Sequence, residues 1–181
     1  SKIEWTDVTW NPLAGCTRVS PGCDNCYAAK MALRLEAMAL ADIEAGKDPG
    51  GKRKYIGVAT KNGRGVAVFN DTINLDEDEL QRPYSWRKPR RVFVNSMSDL
   101  FHKDVPDRFI AAVFDTMAKT PQHTYQVLTK RPERAAEWSK KYSFYVGLWP
   151  DNVWIGTSVE NQEQADKRIP ELLRIPAAVH Y

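Results

Sequence analysis

Three cysteines are the residues of this chain whose type and spacing are most typical of a chemical site. Cys16, Cys23 and Cys26 form a C-x6-C-x2-C pattern. The two-residue gap allows two sulfurs to face one centre, and the turn signal at Ser20–Gly22 brings the remaining sulfur back towards them. This spacing is typical of a site for a metal ion or an iron–sulfur cluster.

Three interpretations of the cysteines stay open from the residues alone. A structural zinc ion usually takes four ligands, but His102, His123 and His180 are all far from the cysteines in the sequence. An iron–sulfur cubane usually takes four thiolates, so three cysteines would leave one iron free for a substrate or cofactor. An open coordination position marks a reactive site. The third interpretation is a set of ordinary buried thiols.

The sequence resembles an uncharacterised, largely phage-associated family of three-cysteine proteins, which is similar to radical S-adenosylmethionine enzymes. The resemblance covers nearly the whole chain, and members of that family continue past the point where this sequence ends. The segments that carry the resemblance are Ile3–Asp7, Trp10–Pro12, Gly15–Thr17, Ser20–Tyr27, Trp86–His102, Leu128–Pro132 and Trp154–Asn161.

The resemblance implies two cofactors. It implies a [4Fe-4S] cluster held by Cys16, Cys23 and Cys26, with the amino acid end of S-adenosyl-L-methionine on the fourth iron. An electron from an external donor would pass through the reduced cluster and cleave a carbon–sulfur bond of the sulfonium. The resulting 5′-deoxyadenosyl radical would abstract hydrogen from an unknown substrate. The protein's part in such chemistry is to position the cofactor and exclude solvent.

Polar side chains follow three predicted strands beyond the cysteines. Ligands of parallel α/β proteins bind at the carboxyl ends of the strands, so we expect these side chains on the same edge as the cysteines. The expected cofactor-binding residues are Asn95, Ser96, Asp99, Thr129, Lys130, Arg131, Ser158 and Glu160. Hydroxyl and carboxylate groups among them suit a ribose or an ammonium, and Lys130 or Arg131 suits a carboxylate.

Alternating strand and helix patterns predict an α/β fold with a parallel sheet. One strand precedes the cysteines. The other candidate strands are Val66–Phe69, Arg91–Asn95, Thr124–Leu128, Val153–Thr157 and Ala177–Tyr181. Helical patterns follow Cys26, Asp104, Arg131 and Asn161. Since a closed barrel needs eight strands, we predict a partial (β/α)6 TIM-like barrel, forming a single domain over residues 1–181. The resemblance implies that this barrel is of the radical SAM type.

Two segments depart from this regular pattern. Residues 47–65 are rich in glycine and basic residues and are predicted to form a flexible surface insertion. The sequence ends inside an apolar run, Ala178–Tyr181. Because an uncovered strand edge invites aggregation, we expect a missing C-terminal segment or a partner to cover that edge.

The segment Tyr84–Arg91 interleaves aromatic and cationic side chains, which can stack bases and neutralise phosphates. A nucleic acid or nucleotide is therefore one candidate substrate. The alternative function is a zinc-stabilised nucleic-acid-binding protein, or a phage accessory protein without catalysis. The net charge of +3 is too small to establish nucleic-acid binding by itself.

Composition limits the remaining classes. The chain has 181 residues, of which 43% are hydrophobic and 27% charged, so it resembles neither a membrane span nor a low-complexity tail. An odd cysteine number and the lack of an apolar signal segment argue against a secreted disulfide framework. We expect a protein without membrane segments in a reducing, cytoplasmic setting, which is the host cytoplasm if the gene belongs to a phage.

Overall fold

The computed structural model describes residues 4–145 and 149–181. Its strands are β1 (Val8–Trp10), β2 (Leu13–Ala14), β3 (Ala59–Lys61), β4 (Ala67–Phe69), β5 (Asn74–Leu75), β6 (Arg91–Val94), β7 (Thr124–Thr129) and β8 (Val153–Thr157). Its helices are α1 (Tyr27–Glu44), α2 (Asp107–Lys119), α3 (Pro132–Tyr145) and α4 (Gln162–Leu172). Among the described residues, none of the helices combines the length and the hydropathy that crossing a bilayer requires.

A four-stranded parallel sheet forms the centre of the fold, with strand order β1-β6-β7-β8. Helix α2 connects β6 to β7, and helix α3 connects β7 to β8. Parallel neighbours require such crossovers, because the chain must return to the starting edge of the sheet before each new strand. The predicted α/β class with a parallel sheet is therefore confirmed, and the carboxyl ends of the four strands lie on one edge, here called the carboxyl edge.

The main core lies between the sheet and its helices. Alternate residues of each strand point to the same face, and on this face β-branched residues pack against the apolar stripe of α2. The sheet contributes Val92, Val94, Tyr125, Val127, Val153 and Ile155, and α2 contributes Phe109, Ile110, Val113, Phe114 and Met117. All of these side chains are buried. This packing makes the strand ends a rigid support for loops.

The prediction that Val66–Phe69 belongs with the parallel strands is wrong. Strand β4 pairs antiparallel with β3 instead, in a separate two-stranded hairpin. The turn between them sets this pairing, because the side-chain oxygen of Asn62 accepts hydrogen bonds from the backbone N–H groups of Arg64 and Val66. Gly65 follows with a φ of 75°, as glycine in a tight turn readily does. The six-stranded count is thus not found among the described residues, and the four parallel strands do not show a barrel.

The predicted last strand lies beside β8. Residues Val179 and Tyr181 exchange backbone hydrogen bonds with Ile155 and Thr157, and the bridge between His180 and Ile155 is parallel. The backbone of this segment thus extends the sheet by one more strand-like stretch. Coverage of its outer edge by a further segment or a partner stays a prediction.

Residues 47–65 contain regular structure. A 3-10 helix spans Gly50–Tyr55 and is followed by β3. Tyr55 and Val58 are buried in a second, smaller core against the alanine face of α1. The ammonium of Lys54, also buried, lies 2.9 Å from a carboxylate oxygen of Asp76. The predicted insertion is therefore packed onto the domain, and its flexibility stays a prediction.

Gly15 joins β2 to the segment that carries the cysteines. Its φ is 97°, in the region that side chains with a Cβ avoid, and a Cβ built on it would lie 2.0 Å from the backbone oxygen of Thr72. The chain enters the cysteine segment through this close backbone approach, which only glycine allows.

We expect Gly15→Ala to lower the free energy of unfolding by about 3 kcal/mol or more, because the added methyl group collides with rigid backbone. Gly46→Ala is the matched control, since Gly46 also has a positive φ but a Cβ there would meet nothing within 4 Å. The control should cost about 1 kcal/mol, from the backbone conformation alone. Urea unfolding followed by tryptophan fluorescence measures both, and equal losses would contradict the close approach at Thr72.

Candidate functional site

The cysteine loop, residues 16–26, connects β2 to α1 at the carboxyl edge. Its middle is a short 3-10 helix, Pro21–Cys23, and Cys26 is the residue that precedes the first turn of α1. Cys16, Cys23 and Cys26 are all free thiols of intermediate exposure. The loop thus carries three half-buried thiols that form no disulfide.

Two cavities lie on either side of this loop, and all three cysteines line both of them. The inner cavity, of about 310 Å³, lies between the loop and the carboxyl edge of the sheet. The outer cavity, of about 590 Å³, lies between the loop and the β3–β4 hairpin, where Asn62, Arg64 and Phe69 contribute to its wall. The thiols therefore face spaces large enough for small ligands.

The structure brings the predicted polar residues together around the inner cavity. The residues that line it are Asn95, Ser96, Asp99, Thr129, Lys130, Arg131 and Ser158. Glu160 is outside this lining and instead contacts the loop, with a carboxylate oxygen 3.2 Å from the backbone nitrogen of Gly22. The prediction that the strand ends and the cysteines share one edge is confirmed by this geometry. The individual roles of these residues toward a cofactor stay predictions.

Asp99 is the most highly connected polar residue of the site described here. Its buried carboxylate accepts hydrogen bonds from the Thr129 hydroxyl at 2.7 Å and from the Arg131 guanidinium at 2.8 Å. It also accepts from the backbone N–H groups of Phe101 at 3.0 Å and Lys130 at 3.1 Å. These bonds join the segment after β6 to the end of β7 and fix the direction of the guanidinium.

Arg131, which pairs with Asp99, also contacts the first part of the cysteine loop. Its guanidinium donates to the backbone oxygen of Thr17 at 3.0 Å and to the sulfur of Cys16 at 3.7 Å. Burial, together with the nearby Asp99 carboxylate and against the opposing effect of Arg131, raises the pKa of Cys16 to about 11. Without a bound metal, the Cys16 thiol is therefore held in its protonated form beside the Arg131 guanidinium.

Lys130 and Glu160 hold the 3-10 turn of the loop from the ends of β7 and β8. The Lys130 ammonium donates to the backbone oxygen of Gly22 at 3.0 Å and to the sulfur of Cys23 at 3.7 Å. The Glu160 carboxylate accepts from the N–H of the same glycine and from Arg168 at 2.9 Å. The backbone N–H and the carbonyl oxygen of Gly22 are thus both bonded to side chains from the carboxyl edge.

The thiols of Cys16 and Cys23 differ in acidity. Burial raises the pKa of Cys23, but hydrogen bonds from the backbone at Val19 and Ser20, together with the Lys130 charge, outweigh burial and lower the pKa below its ordinary value of 9.0. Cys23 is therefore the more easily ionised thiol of the pair that it forms with Cys16.

His102 is a part of the site that the sequence alone left without a role. It is fully buried, and its Nε2 lies 2.6 Å from the hydroxyl of Thr17. Its Nδ1 accepts from the backbone N–H of Asp104 at 3.2 Å, so in the neutral ring the hydrogen is on Nε2 and is donated to Thr17. Burial lowers the pKa of His102, and the positive charge of Arg131 adds to this effect. His102 thus supports the loop as a neutral donor.

The donor set fits an iron–sulfur cluster in the kind of ligand, but the thiols are not arranged around one centre. Three thiols of one loop line shared cavities, and Arg131 and Lys130 contact two of the sulfurs. In the described part of the chain, no group of three or more His, Cys, Asp or Glu side chains is arranged to hold a metal ion. Binding therefore requires the thiols to turn towards a common centre, as is usual where a metal organises its own loop.

The basic aromatic segment lies elsewhere. Tyr84–Arg91 ends at the first residue of β6, which places it at the amino ends of the strands and away from the cysteine loop. Within it the Arg90 guanidinium lies 5.8 Å from the Trp86 ring centre, and Arg91 pairs with Asp7. A nucleic acid bound to this segment would therefore approach the edge opposite the thiols.

The fold and the site define an α/β protein with a parallel sheet whose carboxyl edge carries a three-cysteine loop. The chain belongs to the DUF5131 family, described as proteins of unknown function, whose profile matches residues 1–181. No curated protein and no solved structure matches it. Family membership thus agrees with the resemblance to an uncharacterised family, while the similarity to radical enzymes stays a proposal.

We expect Asp99→Asn to lower the free energy of unfolding by about 3 kcal/mol or more, because it leaves the Arg131 guanidinium without its buried counter-charge. Asp115→Asn is the control. Asp115 pairs with Lys119 on the surface of α2, where both side chains are about half exposed or more, and should cost less than about 1 kcal/mol. Chemical denaturation measures both variants, and a small, equal loss in the two would contradict the central place of Asp99.

The pKa directions predict unequal thiol reactivity. In the metal-free chain at about pH 8, Cys23 should react with iodoacetamide several-fold faster than Cys16, because a lowered pKa increases the thiolate fraction and a raised pKa reduces it. Lys130→Met should slow Cys23 and leave Cys16 unchanged, since only Cys23 contacts the ammonium. Time-resolved peptide mass spectrometry follows both sites. Faster alkylation at Cys16 would contradict the charge arrangement described here.

Proposed function

We propose that the three cysteines bind a [4Fe-4S] cluster and that the inner cavity binds S-adenosyl-L-methionine, in an enzyme of the radical SAM type with an unknown substrate. One observation carries the proposal: three free thiols of a single loop share a cavity with polar groups from the ends of β6, β7 and β8. A core-packing role would not need thiols on a cavity wall, beside two cations.

Cys16, Cys23 and Cys26 are the residues that would hold the cluster. Three thiolates leave one of the usual four protein positions of a cubane open, which is what direct contact with a second ligand requires. The chemistry that these groups supply when bound is the one-electron cleavage of a sulfonium carbon–sulfur bond, with the electron from an external low-potential donor, followed by transfer of a substrate hydrogen atom to the released 5′-deoxyadenosyl group.

Lys130 and Arg131 place positive charge next to two of the sulfurs. Thiolates are anionic, and hydrogen bonds and charges close to them set both the stability and the reduction potential of a bound cluster. The ammonium and the guanidinium contact Cys23 and Cys16 at 3.7 Å each. The Lys130 charge therefore favours the ionised form of Cys23, and Arg131 partly opposes the burial that raises the pKa of Cys16.

The polar edge supplies candidate contacts for the second cofactor. The positive charges of Lys130 and Arg131 suit its carboxylate, and the hydroxyl groups of Ser96 and Ser158 suit a ribose or an ammonium. Because the Asp99 carboxylate already accepts four hydrogen bonds, we assign it a positioning role for Arg131 rather than a direct contact. Glu160 has the same kind of role for the turn at Gly22.

The proposal includes the architecture and the setting that the resemblance implies. The four parallel strands would be part of a partial barrel, with the open face of the sheet and the carboxyl edge enclosing the reaction space. An oxygen-sensitive cluster and an external electron donor suit a reducing cytoplasm.

A zinc-stabilised nucleic-acid-binding protein is the competing function, and the histidines argue against its metal site. His102 uses both ring nitrogens within the protein. One ring nitrogen of His123 lies 3.4 Å from the backbone oxygen of Pro83, which precedes β6 at the amino edge of the sheet. His180 pairs with the backbone oxygen of Ile175 at 2.9 Å. His102 would therefore have to give up a contact to become a fourth ligand, and His123 lies at the edge of the sheet opposite the cysteines.

Anaerobic reconstitution tests the proposal. We expect about four iron and four sulfide per chain, loss of most of this iron in Cys23→Ala, and formation of 5′-deoxyadenosine when the reduced chain meets the sulfonium cofactor. His180→Gln is the control. It removes a histidine that a cluster does not need, whereas a zinc ion bound by the three cysteines could use it as a fourth ligand. Stoichiometric zinc with no iron would contradict the proposal.

A further inference from the structure

The inner cavity contains a buried carboxamide that forms no hydrogen bond. Asn95 is 3% exposed and lines this cavity, and neither its side-chain oxygen nor its side-chain nitrogen has a partner. Buried amides are normally paired, because water is lost on burial and must be replaced. An unpaired amide in the wall of a cavity is therefore a group held ready for a ligand.

The backbone holds this side chain in place. The N–H of Asn95 donates to the backbone oxygen of Trp10 at 2.8 Å, and its own backbone oxygen accepts from Ser98 at 3.3 Å. Its φ of 58° is in the left-handed region, which asparagine, aspartate and glycine tolerate better than other residues. The main chain at this position is thus fully bonded, and only the carboxamide is left over.

The surroundings of the carboxamide indicate what it can bind. A carboxamide offers an acceptor and a donor side by side, which complements a ligand edge with an adjacent donor and acceptor. Phe69, Phe93 and Tyr27 line the same cavity, so aromatic surface is available for a flat ring. The cations Lys130 and Arg131 belong to another part of its lining and already face the cysteine loop.

We infer that Asn95 recognises a nucleobase of the adenine type in the inner cavity, pairing both atoms of its carboxamide with the amino group and the adjacent ring nitrogen of the base. Asparagine forms this bidentate pair with adenine elsewhere in nucleic-acid recognition. The inference deepens the proposed function and rests on it for the source of the base, which is either the nucleoside part of the cofactor or a base of the substrate.

Asn95→Gly removes the carboxamide and keeps the left-handed backbone, so it isolates recognition from folding. Equilibrium dialysis of the full chain, metal-free and cluster-loaded, should show adenosine bound about tenfold more tightly than purine riboside, which lacks the amino group. Asn95→Gly should bind both equally. Asn95→Asp, which keeps the shape but replaces the donor to the ring nitrogen with an acceptor, should weaken the binding of both nucleosides, because both carry that ring nitrogen.

Two outcomes overturn the inference. One is a preference for adenosine that persists in Asn95→Gly, which would mean that asparagine serves only the backbone conformation. The other is the absence of adenosine binding to either form of the wild-type chain. Asn11→Ala controls for stability: the Asn11 oxygen is already bonded to Ser96 and Met97. Urea unfolding should show a loss for Asn11→Ala that Asn95→Gly does not share.

Further measurements show whether the base belongs to the cofactor or to the substrate. They also distinguish a failure of this inference from a failure of the proposed function. With the cluster-loaded chain, S-adenosylhomocysteine should displace adenosine if the base belongs to the cofactor, and should bind together with it if the base belongs to the substrate. A chain that takes up no iron on anaerobic reconstitution but shows an Asn95-dependent preference supports this inference and contradicts the proposed function. A chain that cleaves the cofactor with an unchanged preference in Asn95→Gly does the reverse.

Discussion

A single buried carboxylate determines how the carboxyl edge of this protein is assembled. Asp99 lies just beyond β6, and its oxygens accept from a hydroxyl, two backbone N–H groups and the Arg131 guanidinium. A buried charge is tolerated only when such bonds replace its lost hydration. Because the guanidinium also bonds to the backbone of Thr17, the position of the first cysteine depends on a carboxylate from another strand end.

Residues at the ends of the other strands also bond the cysteine loop. Residues that follow β7 and β8 bond the carbonyl oxygen and the N–H of Gly22, and the Tyr27 hydroxyl donates to the backbone oxygen of Ser96 beyond β6. A loop with little regular structure is thereby fixed to rigid strands, as functional loops commonly are. The loop carries thiols and the strands carry cations, so support and electrostatic tuning come from the same side chains.

The sequence predicted those parts that depend on local pattern. Runs of β-branched residues indicated β6, β7 and β8, and parallel topology then placed their polar ends beside the cysteines. Val66–Phe69 has the same composition, but its partner is a neighbouring hairpin strand, which composition does not encode. The contact of His102 with Thr17 spans 85 residues, and that of Arg131 with Asp99 spans 32. Contacts between residues so far apart in the sequence cannot be predicted from residue spacing. The unpaired state of Asn95 likewise appears only when every neighbour is placed.

In the proposed function, three sulfurs hold a cluster and leave one of its irons without a protein ligand. Mössbauer spectroscopy of the anaerobically loaded chain, with and without S-adenosyl-L-methionine, tests this most directly. We predict that addition of the cofactor alters the signal of one iron out of about four and leaves the others unchanged. A chain that takes up no iron, or whose iron sites are all indifferent to the cofactor, would contradict the account.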